Sequence, residues 1–405
     1  MTMTSKKLTD TCAFPVIAIA LFLAVSYGLC TIIQLYRFEP MYPLHQFRQS
    51  MDLFDYCSAA HQIEKPGGSI YAVSRYVTPP TAALMLYPLI KSMPYRTIRT
   101  LLQTFIILSI AASIWLSAKI FLPKNEQIPE FGKRMLYMCL GIIILYSYPV
   151  YFIFDRINAD WLTLFCVWAG LFFLDREKDI PAGLLLGMSA AIKVYPLLIA
   201  VPLVIHRKWK TVCTLFVPFA VFFLIRPEAW FDYVQFRLAE RLDSFHVIEN
   251  VSLANTLFYL SRFLHIPLPR DFLLNSASIL WVVLVGVLCA GIVRNRKSVS
   301  CLRHIMYLMP CMFLIPSTSY AYSLIFIVPA IPFYISQWQT LTHATLRRVY
   351  YMLFCCVALT QIQAVFLEKL FGIQSVHFLP SFGLLGIVLC SIACVYCTHP
   401  ASSNP

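Results

Sequence analysis

The chain has 405 residues, of which 59% are hydrophobic, 15% aromatic and only 13% charged, and its mean hydropathy is +0.71. Soluble globular chains carry about 25% charged residues, so this composition excludes an ordinary water-facing surface and points to a polytopic membrane protein. The net charge of +13 does not imply nucleic acid. Its Lys and Arg sit in short clusters between apolar runs (Lys6-Lys7, Arg207-Lys208-Trp209-Lys210, Arg294-Asn295-Arg296-Lys297, Arg347-Arg348), as expected of cytoplasmic loops beside anionic headgroups.

Lys6 and Lys7 precede an apolar run over 12–33. That run is longer than the roughly 7–15 apolar residues of a secretory leader, and it reads as a retained first span with the N-terminus in the cytoplasm. Further apolar runs lie near 79–90, 97–121, 135–153, 158–174, 181–205, 210–226, 272–293, 303–316, 320–337, 347–366 and 378–397. Counted as crossings they predict an all-α protein of about 12 spans with both termini cytoplasmic. The long loops 34–78 and 227–271 then follow spans 1 and 7 on the outer side. A second parse treats 79–90 as re-entrant and breaks 181–205 at Lys193. Both describe one integral membrane domain over 1–397, with a disordered tail over 398–405. Every acidic residue falls at the end of a run or in a loop, which disfavours proton-coupled transport through an intramembrane carboxylate relay.

The fourteen cysteines mostly lie inside apolar runs, where Cys behaves as a small hydrophobe. Cys394-Val395-Tyr396-Cys397 lacks the second ligand pair of a zinc site. No phosphate-binding, dinucleotide, zincin or serine-hydrolase motif is present.

The residues suited to chemistry begin with Asp52 and Asp55 in the first outer loop. Either they are simply solvated, or one is a general base that takes a proton from a sugar hydroxyl near the headgroups. On a short helix Asp52, Asp55 and Tyr56 share a face, because three- and four-residue separations bring side chains together. Lys193, followed by Val194-Tyr195-Pro196, is the only charge in its apolar run. It either pairs with a phosphate or a carboxylate or snorkels to an interface. Asn158 lies in the hydrophilic hinge Asp155-Arg156-Ile157-Asn158-Ala159-Asp160. The second outer loop and its flanks hold Arg226, Arg237, Arg241, His246, Asn250 and Arg262. These either clamp a phosphate leaving group or face solvent from an amphipathic helix lying on the headgroups. Asn250-Val251-Ser252 also has the spacing of a glycosylation acceptor.

Taken in order, these pieces resemble the GT-C class of integral membrane glycosyltransferases, in particular glycosyltransferase family 87. The family's first-loop pattern, Asp-apolar-x-x-Tyr-x-x-Ala-Ala, is matched by Asp52-Leu53-Phe54-Asp55-Tyr56-Cys57-Ser58-Ala59-Ala60. Its Gly-x-x-Tyr is matched by Gly68-Ser69-Ile70-Tyr71, and its aromatic-apolar-x-Pro-Pro by Tyr76-Val77-Thr78-Pro79-Pro80. A Gly-Gln-x-Asn signature survives only as the Asn of Asp155-Arg156-Ile157-Asn158. Ala-x-x-Lys-x-x-Pro is similar to Ala190-Ala191-Ile192-Lys193-Val194-Tyr195-Pro196, and Asn-x-Ser-Leu to Asn250-Val251-Ser252-Leu253. The late Pro-x-x-Ser-Trp-x-His pattern departs most, with Tyr320 and Tyr322 in its aromatic and His positions.

The resemblance implies transfer of a hexose or pentose, mannose favoured, from a polyprenyl-phosphate sugar to a lipid or glycan acceptor at the outer face, with inversion. It implies that Asp52 is the base and that Asp55, one turn on, orients the acceptor. Lys193, Arg226, Arg237, Arg241 and Arg262 become candidates for the donor phosphate. Tyr56, Tyr71, Tyr76, Asn158, His246, Asn250, Tyr320 and Tyr322 become candidates for binding the substrates. No cofactor or metal is expected, since Lys and Arg can neutralise a monophosphate leaving group. The expected location is a multi-pass position in a plasma membrane, such as a bacterial inner membrane. The alternatives are a lipid or polysaccharide transporter or flippase, and an inactive scaffold with a GT-C-like fold.

Overall fold

In hydrocarbon each backbone N–H and C=O must be satisfied within its own segment, and this chain answers with helices. The computed structural model describes residues 51–65, 68–72, 78–122, 147–239, 250–315, 319, 321–340, 344–361 and 379–397, with isolated positions in 17–25 and 138–143. The described elements are α-helices and short 3-10 turns, with no strand among them. The expected span over 12–33, apart from a few positions, and the tail over 398–405 lie outside the described residues. The chain divides into two compact units, one formed by 43–116 and 152–243, the other by 1–42, 117–151 and 244–405.

The first unit begins with α1 (Met51–Ile63). Asp52 sits in its first turn, where a negative charge complements the helix dipole. Pro80 occupies the first turn of α2 (Pro80–Ser92), where its missing N–H costs nothing. The 27-residue α3 (Tyr95–Phe121) is about 40 Å long at the helical rise per residue. Next come α4 (Tyr148–Arg156), whose residues from 152 on belong to this unit, and α5 (Asp160–Asp175), between which the helical direction changes by 119°. Then α6 (Asp179–Ile192) ends at Lys193, whose extended backbone leads into a 3-10 turn (Tyr195–Ile199) and α7 (Ala200–Ile205). The unit closes with α8 (Trp209–Leu215), α9 (Val217–Ile225) and α10 (Pro227–Ala239).

Glycine sets one spacing here. A Cβ on Gly183 would collide with Thr214 Oγ1 and the Thr211 carbonyl oxygen, and one on Gly187 with the Leu215 carbonyl oxygen. The two glycines, four apart on one face of α6, admit the backbone of α8, as small residues do between membrane helices. The apolar core gathers Tyr56, Ala59, Ile70, Ala82, Ala83 and Ile192.

The second unit contains α11 (Leu253–Phe263), α12 (Arg270–Asn295), α13 (Cys301–Leu308), α14 (Ile327–Thr340), α15 (Ala344–Thr360) and α16 (Leu379–Cys397). Trp281 Nε1 of α12 donates to the Cys311 carbonyl at 2.9 Å, and Asn295 Nδ2 to the Val395 carbonyl at 2.5 Å.

Among the described residues, α3, α12 and α16 are long and apolar enough to cross a membrane. The count rises to five if α4–α5 and the bent stretch Trp209–Phe236 each form one span. The other apolar runs form shorter elements. The 181–205 run is broken at Lys193, as in the second parse, and the run at 79–90 is a helix of 13 residues. The stretch 227–271, expected as the second outer loop, is partly helical, with α10 at its start and α11 further along it.

Candidate active site

The hinge between α4 and α5 builds the site. Ile157, a β-branched residue, has φ 55°, a conformation that is a genuine outlier for its type. This left-handed turn carries the side chains on either side of it to the same carboxylate, that of Asp52. Arg156 donates to Asp52 Oδ1 from Nε at 2.8 Å and from Nη2 at 2.6 Å, and Asn158 Nδ2 donates to Asp52 Oδ2 at 2.6 Å. Asn158 is itself fixed, because its Oδ1 accepts from the Asp160 N–H at 3.0 Å. One helical turn along α1, the Tyr56 hydroxyl accepts the Ala159 N–H at 3.1 Å. The face shared by Asp52 and Tyr56 is thus the one that α1 turns to the hinge. Strained backbone of this kind costs about 1–3 kcal/mol and persists where the surroundings over-determine it. Asp52 is 8% exposed and Asp55 is likewise buried.

Behind the hinge lies a second charged pair. Asp160, the first residue of α5 and so at the end of its apolar run, is completely buried. Lys193 Nζ stands 3.7 Å from Asp160 Oδ1, and the Tyr195 hydroxyl donates to the same oxygen at 3.1 Å. Of the two kinds of partner expected for Lys193, a phosphate or a carboxylate, the structure supplies a carboxylate. Acidic charge at this depth is thereby matched by a cation, as interior charges need to be.

Arg226 is also engaged. Its Nη1 and Nη2 donate to the carbonyls of Ile63 and Gly68, at 3.0 and 3.4 Å, and its Nε bonds Glu228 at 2.9 Å. Tyr71 closes the stretch after α1. Its hydroxyl donates to the Thr78 carbonyl at 2.8 Å, its N–H donates to Ser69 Oγ, and its ring stacks on Phe236. Ser69 in turn donates to Asp232 at 2.6 Å.

In the second unit, Asn250 is 1% exposed. Its Oδ1 accepts the N–H groups of Ser252 at 2.9 Å and Ser319 at 3.1 Å. Ser252 caps α11 through Asn255 N–H, the usual use of Ser at that position. The Asn-x-Ser spacing therefore reflects a helix start and a tie to residue 319, and its amide is buried rather than presented for glycosylation. Arg262 is exposed, with its guanidinium 4.8 Å from the centre of the Phe258 ring. Tyr76, Arg241, His246 and Tyr320 lie outside the described residues, as do the side chains of Arg237 and Tyr322.

Two site residues were missed by sequence reasoning, Arg156 and Asp160. Both lie in the six-residue hinge singled out for Asn158, and their charges between two apolar runs were the available signal.

The family model described as Glycosyltransferase family 87 matches residues 76–316 of the chain. The chain belongs to glycosyltransferase family 87. The matched stretch is more than half of the protein and contains the hinge, Lys193 and Asn250, whereas Asp52 and α1 precede it. No curated protein and no solved structure matches. As a member of this family the protein is a glycosyltransferase, an enzyme that uses a sugar donor and an acceptor. Its apolar helices and its family together mark it as a membrane protein.

Proposed function

We propose that this glycosyltransferase moves a sugar, mannose by preference, from a polyprenyl-phosphate donor to a hydroxyl of a lipid or glycan at the outer face of a plasma membrane. Asp52 is the general base of an inverting transfer. The acceptor proton passes to its carboxylate, the acceptor oxygen bonds the anomeric carbon, and the bond to the lipid phosphate breaks with its electron pair. One observation carries this: a carboxylate with 8% exposure is oriented on both of its oxygens by the hinge of the family-matched stretch. Positioned acid–base groups contribute about 10²–10⁴-fold to such steps.

Asp55 orients the acceptor, and Tyr56 and Asn158 shape the base's surroundings. For the donor phosphate, Arg237, Arg241 and Arg262 are favoured over Lys193 and Arg226, which would have to exchange the internal partners they hold. Tyr71, Tyr76, His246, Tyr320 and Tyr322 are proposed to line the substrates. Asn250 acts on that lining indirectly, through residue 319. We further propose that 1–397 works as one multi-pass domain in which the run at 79–90 is re-entrant, as in the second parse, because Asp52 and the hinge at 156–158 meet and so share one side of the membrane.

The deciding experiment presents polyprenyl-phosphate mannose, glucose and arabinose to membranes in which this chain is the only transferase. Transfer from the mannose donor, lost in Asp52→Asn, is expected. Transfer from none of the three refutes the donor class, and undiminished transfer by Asp52→Asn refutes the base.

A further inference from the structure

A carboxylate offers about four in-plane acceptor positions, two on each oxygen. At Asp52, Arg156 fills both positions of Oδ1 with Nε and Nη2, and Asn158 fills one of Oδ2. Among the described residues, the second position of Oδ2 is the one left over. We propose that Arg156 is a positioning residue for the transfer: it locks Oδ1 and so presents Oδ2 as the single atom that takes the acceptor's proton. This rests on Asp52 being the base.

Three features of the hinge support the assignment. A carboxylate withdrawn this far from water needs a paired, hydrogen-bonded partner, and Arg156 is one, its two charge-assisted bonds at 2.6–2.8 Å being of the strong kind. The Phe152 ring lies beside the guanidinium, its centre 5.5 Å from the guanidinium carbon, an arrangement that attracts a cation. The third feature is the strained turn at Ile157, which puts Arg156 and Asn158 on different oxygens of one carboxylate. A lysine, with a point charge in place of a planar fork, would neutralise Asp52 without fixing the rotation of its carboxylate.

A positioning role predicts a loss in turnover rather than in binding. Full-length protein in lipid nanodiscs would be assayed with polyprenyl-phosphate mannose as native chain, Arg156→Gln, Arg156→Lys and Asp52→Asn. In Arg156→Gln, kcat is expected to fall about 10²-fold, the size of loss that a small misplacement at a reacting centre causes, with the donor KM within about twofold of native. Arg156→Lys, which restores the cation, should recover about tenfold of that loss, because charge without the fork is half of the function.

Several outcomes overturn the assignment. These are a native kcat in Arg156→Gln, a loss confined to the donor KM, which would make Arg156 a phosphate ligand, and an Arg156→Lys no better than Arg156→Gln, which would reduce it to a structural contact. Asp52→Asn separates the levels. If it turns over at the native rate, the base itself is wrong. If it is inactive while Arg156→Gln is normal, only the role of Arg156 falls.

Discussion

Replacing Asp52 by Asn changes one oxygen to an NH2 group and removes one charge, and the geometry of the hinge leaves the new amide no good orientation. If it points its NH2 at Arg156, the guanidinium faces a donor and loses its counter-charge. If it points the NH2 at Asn158, two amide donors meet. Asn158 cannot flip to relieve this, because its Oδ1 holds the Asp160 N–H. Either way a mostly buried donor is left unsatisfied, at a cost of about 1–3 kcal/mol, and the separated ion pair pushes the figure toward the top of that range. Arg156 has a side-chain exposure of 22%, so water can recover part of the loss, and we expect about 2 kcal/mol. The assay is denaturant unfolding in detergent of native, Asp52→Asn, Arg156→Gln and the double variant. Because the two residues touch, the double variant should be destabilised less than the sum of the singles by about 1–2 kcal/mol. Strict additivity, or an Asp52→Asn chain as stable as native, would refute this geometry of the hinge.

Lys193→Met should destabilise the first unit by about 3–5 kcal/mol by taking the cation away from the buried Asp160. Lys193→Met combined with Asp160→Asn should recover most of that, and a combination no better than the single variant would refute the pairing. Gly187→Val should lower the thermal midpoint clearly by forcing α8 away from α6, since overpacking costs about 1–3 kcal/mol. An unchanged midpoint would mean that the helices do not approach as described. Arg226→Ala removes two bonds to the carbonyls of Ile63 and Gly68. Limited proteolysis should then cut the stretch after α1 faster than in native protein, and equal rates would count against this clamp. For orientation, Lys65→Cys should react with an impermeant thiol reagent from outside intact cells and Lys297→Cys should not, with the reverse pattern ending the proposed topology.

Much of the fold class and part of the site were legible in the chain itself. Helical spacing alone put Asp52 and Tyr56 on one face, and α1 uses that face against the hinge. Asn158, kept as the one surviving residue of a family signature, proved to be a direct partner of Asp52. Its neighbour Arg156 looked like a departure from that signature and is the ion-pair partner of Asp52. Asp160 looked like a hinge residue in a loop, yet it is fully buried against Lys193. The apolar runs were legible as runs but not as crossings. Whether a run continues as one helix depends on local breaks, such as the extended backbone at Lys193 and the positive φ at Ile157.

Composition and periodicity determined that this protein is helical, suited to a membrane and equipped with a carboxylate beside the first apolar runs. Those properties are sums over local residue types, so a linear reading reaches them. Tertiary structure alone decided which cation meets which carboxylate. Arg156 lies 104 positions from Asp52, and Lys193 lies 33 from Asp160. At such separations a pairing is set by where helices stop and turn, and neither charge nor spacing encodes the turn at Ile157 that brings Arg156 and Asn158 to one carboxylate.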